Sequence, residues 1–198
     1  MQKEPMPEKP MREKPMRADA RRKREAIIAA AVEVFEERGV DIALDEVARR
    51  ADVGIATLYR HFPTREVLIT GAYLHEIGRL CAGADELLAG LPADEAMKTW
   101  MRRFIGNAQG RPGLAMALKS IVKATDAEGL AAAHDEVYTA LQKFLDAGYR
   151  DGIFATRVEA AVLATALSGI SLASDAAGRE AQAAAIIDLT VNGLRYPG

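Results

Sequence analysis

The chain is short of several things, and each shortage excludes a class of protein. It has one cysteine, Cys81, which rules out an internal disulfide and a cysteine-rich metal centre. It has no run of about 18 apolar residues, so no membrane span is expected. The N-terminus lacks the apolar stretch of a secretory signal, so a cytoplasmic protein is expected. Alternation of apolar and polar residues never lasts more than a few positions, which leaves no strand pattern. Net charge is scarce too: 26 Lys and Arg against 28 Asp and Glu give −2. Taken alone, that sum argues against a polyanionic partner. What the chain does have is alanine, 38 of 198 residues, and arginine in excess of lysine, 18 to 8. Both are strong helix formers. The expected class is all-α, and the length fits one large domain or a small domain joined to a medium one.

Residues 1–17 form an expected disordered leader, in which Pro5, Pro10 and Pro15 and Met1, Met6, Met11 and Met16 recur every five residues. Its prolines break helices and it has little to bury. Order is expected from Asp19, which can cap a helix through Arg38, with Ile28, Ala31, Val32 and Phe35 on one face and Gly39 as a left-handed stop. A second helix is predicted over 44–50 and a third over 55–61, ended by Pro63. Thr64 can cap a fourth helix reaching about Leu88. Further helices are predicted over 94–107, 114–124, 130–149, 157–173 and 181–194.

Residues 44–62 read helix, three-residue turn, helix. That is the helix-turn-helix arrangement, whose second helix enters the DNA major groove. If Ile55, Leu58 and Phe62 face inward, Ala56, Tyr59 and Arg60 face outward. No acidic residue occurs from Gly54 to Arg65. Arg65 in the first turn of the fourth helix opposes the helix dipole, so its placement makes more sense as a phosphate contact, shared with free amides, than as a stabiliser. Arg17, Arg21, Arg22, Lys23 and Arg24 face only Asp19 in the same stretch, a local charge of +4. This is a footprint for nucleic acid that the net charge conceals.

The run from Val53 through Gly54-Ile55-Ala56-Thr57-Leu58-Tyr59-Arg60-His61-Phe62-Pro63-Thr64-Arg65 to Glu66 resembles the signature of the TetR family of bacterial repressors. Ala30-Ala31, Phe35, Glu37-Arg38-Gly39 and Val47-Ala48 match the family's first two helices, so the likeness covers residues 20–66. The resemblance implies an N-terminal helix-turn-helix DNA-binding domain, 18–65, and a C-terminal helical ligand-binding and dimerisation domain, 66–198. It implies base contacts from Ile55, Ala56, Tyr59 and Arg60 and phosphate contacts from Gly54, Thr57, His61 and Arg65, with Arg21 and Arg22 beside them. Two positions depart from the family's pattern. Gly54 replaces the usual polar cap of the recognition helix, and Ala43 stands where a capping, phosphate-touching threonine is common.

For the second domain, the resemblance implies a small-molecule effector and a homodimer. The small residues of 157–173 and the final helix permit close helix approach, within one subunit or between two. Trp100, Phe104, Met116, His134 and Tyr138 are candidates to line a cavity, and Arg103, Asn107 and Lys119 to supply polar groups. Each of these aromatics is equally well read as ordinary core. Catalysis finds little support. His75-Glu76 begins a zinc-protease motif that lacks its second histidine, and no phosphate-binding or serine-nucleophile motif occurs. No cofactor or metal is implied. Cys81 reads as a buried small residue or, alternatively, as a redox-sensitive thiol. The resulting expectation is a regulator that binds a double-stranded operator and leaves it when the effector binds. The alternative is a small-molecule-binding or protein-interaction module whose helix-turn-helix is vestigial.

Overall fold

The structure, a computed structural model, describes residues 13–109, 127–173 and 180–196, with side chains over 18–106, 131–171 and 181–196. All regular elements among the described residues are helices: α1 Glu13–Arg38, α2 Leu44–Arg50, α3 Ile55–His61, α4 Arg65–Ala82, α5 Ala84–Gly90, α6 Ala93–Gln109, α7 Ala127–Arg150, α8 Ala160–Ala173 and α9 Glu180–Gly193. None is long and apolar enough to cross a membrane. The helix expected over 114–124 and residues 1–12 of the expected 1–17 leader lie outside the described residues; residues 13–17, expected to be disordered, instead form the start of α1.

The all-α expectation holds, and most expected boundaries are met within a few residues. Two differ for physical reasons. α1 starts at Glu13 rather than at an Asp19 cap. Pro15 falls in the first turn, where its missing N–H costs nothing. Asp19 sits inside the helix and pairs with Lys23 at 2.7 Å and Arg22 at 3.3 Å. The expected fourth helix is also two helices. Gly83 interrupts it, and the carbonyl of Leu80, near the end of α4, accepts the indole N–H of Trp100 at 2.9 Å. The Gly90-Leu91-Pro92 break therefore ends α5.

Two apolar cores form. The first gathers Ile27, Ile28, Ala31, Val34 and Phe35 of α1, Leu44, Val47 and Ala48 of α2, and Leu58 and Phe62 of and after α3. Leu68, Ile69 and Ala72 of α4 complete it, so α4 belongs to this core for its first two turns. Gly71 lets α4 approach Phe62: a Cβ there would lie 3.1 Å from the ring. The second core joins Ile77, Met97, Trp100, Met101, Leu141, Phe144, Leu145, Leu163, Leu167 and Ile187 across α4 to α9. Tyr73 packs against both cores.

The ends of this framework are tied down locally. Gly39 takes φ +80°, as expected of the α1 stop. In the α2–α3 turn the left-handed residue is Asp52, φ +53°, a conformation aspartate tolerates better than most residues. At the end of α7, Gly152 takes φ +70°, and the N–H groups of Ile153 and Phe154 both donate to the Gly148 carbonyl. This folds the Phe154 ring back over Gly148. Arg195 reaches from beyond α9 to the buried carboxylate of Asp94 in the first turn of α6.

Candidate nucleic-acid interface and ligand cavity

A seven-residue helix such as α3 is too short to persist alone, so its geometry comes from its anchors. Leu58 and Phe62 are fully buried, and α3 packs on α2 and α1. That orientation leaves Ala56, Tyr59 and Arg60 exposed, with Tyr59 at 48% of its surface. Ile55 is only half-buried, because the first residue of the helix lies at the rim of the core. Thr57 and His61 are half-buried, and Arg60 reaches back to the Thr57 hydroxyl at 3.5 Å. Gly54 caps α3 without a side chain, and a Cβ added there would meet nothing within 4 Å. The glycine is therefore not required by packing inside the chain. Ala43 likewise offers α2 no side-chain cap; Asp45 and Glu46 in the first turn supply negative charge instead.

Several groups expected to be free for phosphate are already engaged. Arg65 is half-buried and donates a hydrogen bond to the carbonyl of Val40, tying the α1–α2 connection to the start of α4. The sequence reading favoured a phosphate contact over a stabilising role; the stabilising role is present. The amides at the start of α4 are partly occupied too. Thr64 Oγ1 accepts from the Val67 N–H at 3.3 Å. The Glu66 carboxylate accepts its own backbone N–H and the Thr64 hydroxyl, which hold its pKa below the ordinary value. In the basic arm of α1, Asp19 takes Arg22 and Lys23, Arg21 sits 3.7 Å from Glu25, and Arg24 lies over the Phe62 ring at 5.2 Å. Arg21 and Arg22 remain well exposed. Arg50 is structural: it binds Glu37 at 2.9 Å and Glu33 at 3.1 Å, clamping α2 to α1.

In the second half of the chain a cavity of about 590 Å³ lies between α4, α6, α7 and α8. Its apolar wall comprises Ile77, Phe104, Ala133, Val137, Ala164 and Leu167. Its polar groups are Tyr73, His134, Tyr138, Thr165, Ser168 and Ser171. Phe104, His134 and Tyr138 were foreseen. Two other candidates lie elsewhere. Trp100 is fully buried behind Phe104, 5.7 Å ring to ring, with its indole committed to Leu80. Arg103 is exposed, away from the lining. The side chain of Asn107, and Met116 and Lys119 altogether, lie outside the described residues. Tyr73 and the three hydroxyls of α8 were missed, although Thr165, Ser168 and Ser171 at successive intervals of three mark one helical face.

The remaining chemistry is quiet. Glu76 is buried and binds Arg79 at 3.2 Å, while its neighbour His75 is exposed. No cluster of three metal-binding side chains occurs among the described residues. Burial, aided by the Glu136 carboxylate, pushes the Cys81 thiol up to about 11.

Comparison with known proteins agrees with this geometry. The family model described as "Bacterial regulatory proteins, tetR family" matches residues 27–71, and that of the "Transcriptional regulator SbtR-like, C-terminal domain" matches 92–196. The crystal structure of the TetR regulator SCO0520 from Streptomyces coelicolor is 40% identical, with a TM-score of 0.70, covering 88% of this chain and 99% of that one. A TetR regulatory protein from Mycobacterium vanbaalenii is 31% identical, with a TM-score of 0.65, covering 92% of this chain and 100% of that one. The repressor KstR of Mycolicibacterium smegmatis is 35% identical over 75 residues, spanning 36% of this chain and only 37% of that protein. The two matched family segments meet the two cores in turn, and the chain belongs to the TetR family of bacterial DNA-binding transcriptional regulators.

Proposed function

We propose that the protein is a cytoplasmic, homodimeric repressor that leaves its operator when a small molecule fills the cavity, and that it has no catalytic role. The observation that carries the reading is α3. Leu58 and Phe62 anchor it, and it presents Ala56, Tyr59 and Arg60 outward on a segment with no acidic residue from 54 to 65. In this reading Ile55, Ala56, Tyr59 and Arg60 touch base edges, with Arg60 suited to bidentate contact with guanine. Gly54, Thr57, His61 and Arg65 approach phosphates, with Arg21 and Arg22 at the flank. The open space around Gly54 gives a sugar–phosphate strand room to approach the backbone. Arg65 serves twice, its anchor on Val40 holding the remaining N–H groups toward the helix start.

Dimerisation is supported by the outer faces of α8 and α9, where Val162, Gly169, Ala185 and Leu189 are exposed, Leu189 at 75%. Small and apolar residues there suit an isologous helical interface. Two recognition helices then reach half-sites about 34–36 Å apart. We place the domain division within α4, near Tyr73, where one core gives way to the other.

The test is binding to the DNA upstream of the protein's own gene, measured by anisotropy across a salt series. Arg60→Ala is expected to cost about 1–3 kcal/mol and relax sequence preference. Arg65→Ala is expected to weaken all DNA alike and lower the salt slope by about one. Salt-insensitive or absent binding by the folded wild type would favour the alternative, a module with a vestigial helix-turn-helix.

A further inference from the structure

The α3 helix ends in a buried ring. Phe62 is its C-terminal cap residue, and the Phe62 N–H donates to the Leu58 carbonyl at 2.8 Å. The Phe62 backbone is thus continuous with the last turn of α3, and Pro63 keeps it out of the helical region. The ring is fully buried. The Arg24 guanidinium of α1 lies over it at 5.2 Å, and Gly71 of α4 meets its Cε1. A Cβ added to Gly71 would lie 3.1 Å from that ring carbon and 3.9 Å from two carbons of Ile28. That is closer than ordinary van der Waals contact, so a methyl there displaces a neighbour by a few tenths of an ångström.

Which neighbour yields follows from what holds each. Around Gly71, α4 buries Leu68, Ile69 and Ala72, and Arg65 bonds its start to Val40. Of the seven residues of α3 only Leu58 is buried, and Ala56, Tyr59 and Arg60 are exposed. The softer body is Phe62, and with it the last turn of α3, which carries Tyr59 and Arg60. Paired hydrogen bonds to a base edge weaken steeply when donor and acceptor leave their normal distance. Phosphate contacts hold the protein on DNA but carry no sequence information, so a small tilt of α3 falls first on sequence preference.

We infer that Gly71 is a positioning residue for sequence recognition: its missing side chain sets how deeply Phe62 seats against α4, and that depth aims Tyr59 and Arg60 at the base edges. This rests on α3 being the DNA-reading helix of the proposed function. The probes are a duplex enriched by the full-length wild type from a random-sequence library and a shuffled duplex of the same composition. Anisotropy gives both affinities for wild type, Gly71→Ala and Gly78→Ala. Gly78 lies about two turns further along α4, and a Cβ there meets only the Glu136 carboxylate, at 3.4 Å, an ordinary contact. Both alanines gain the same helix propensity, so the pair isolates the contact with Phe62. Gly71→Ala is expected to lower the ratio of enriched to shuffled affinity about three- to tenfold, a share of what one bidentate base contact supplies. Its melting temperature is expected to stay within roughly 4 °C of wild type. Gly78→Ala is expected to keep the ratio within about twofold. A packing role alone does not move this ratio, because partial unfolding removes the same fraction of protein from both duplexes. An unchanged ratio in Gly71→Ala overturns the inference, as does an equal fall in Gly78→Ala. A Gly71→Ala chain that does not fold overturns it too, since α3 would then not have absorbed the shift. If wild type enriches no sequence, the DNA-reading role of α3 fails and the inference falls with it; if wild type enriches one and the ratio holds in Gly71→Ala, only the aim assigned to Gly71 is wrong.

Discussion

Replacing Gly148 by alanine opposes two effects that the structure lets us weigh. In an open helix the change is favourable by about 1 kcal/mol through helix propensity. Gly148, however, lies under Phe154, whose Cγ would be 2.8 Å from the new Cβ, with ring carbons closer still. The ring has little freedom to retreat. The Phe154 N–H is bonded to the Gly148 carbonyl at 3.1 Å, and the ring meets Tyr149 edge-on, 6.1 Å between centroids. Forcing an extra methyl into such a contact costs about 1–3 kcal/mol, and turning the phenyl out to water forfeits about 1.5–3 kcal/mol. Set against the propensity gain, either route leaves a net loss of about 1 kcal/mol and at most about 2 kcal/mol. At roughly 2–4 °C per kcal/mol for a chain of this size, the melting temperature falls by roughly 2–4 °C and at most by about 8 °C. Urea unfolding of Gly148→Ala, Phe154→Leu and the double variant gives the assay. The double variant is expected to be more stable than the sum of the singles by about 1 kcal/mol, because the smaller side chain relieves the clash. A Gly148→Ala protein as stable as wild type, or strict additivity in the cycle, would refute the reasoning.

Two further predictions concern titratable groups. Cys81, pushed up to about 11 by burial and Glu136, is expected to react with iodoacetamide near pH 8 at least about a hundredfold more slowly than a free thiol of ordinary pKa, since the thiolate is the nucleophile; labelling at the free rate would contradict this and revive the redox reading. The hydrogen bonds of Arg50 hold the Glu37 carboxyl below its ordinary value of 4.5. A depressed carboxylate contributes stability that is present above its unfolded pKa and lost as pH falls through the lowered folded value. Wild type is therefore expected to exceed Arg50→Met in urea midpoint near pH 7, with the gap narrowing below about pH 4; a gap independent of pH would count against the pairing.

Most of the first core was legible because its information is local. Ile27 to Phe35 repeat at helical spacing, and Gly39 and Thr64 sit where a stop and a cap are needed. Gly83 did not read as a break, because what fixes the break is the Trp100 indole, placed far along the chain by tertiary packing. The stabilising bond of Arg65 was not legible for a related reason: its partner is a backbone carbonyl, and a carbonyl carries no letter in the sequence. In the cavity, Phe104, His134 and Tyr138 stood out as aromatic or ionisable residues. Trp100 stood out equally and is core, since spacing alone does not distinguish a wall from the layer behind it. The α8 hydroxyls were overlooked because small residues among many alanines read first as a surface for close helix approach.

Tyr73 gives the molecule a different kind of unity. A side chain that packs against both cores and also walls the cavity couples the two halves, so they are expected to melt as one cooperative unit. Loosening the first core withdraws support from Leu68, Ile69 and Ala72, then from Tyr73, and the cavity loses that side. The cavity is therefore expected to lose its Tyr73 wall when the helix-turn-helix unfolds. A fragment cut at the start of α4 would carry the wall without its footing.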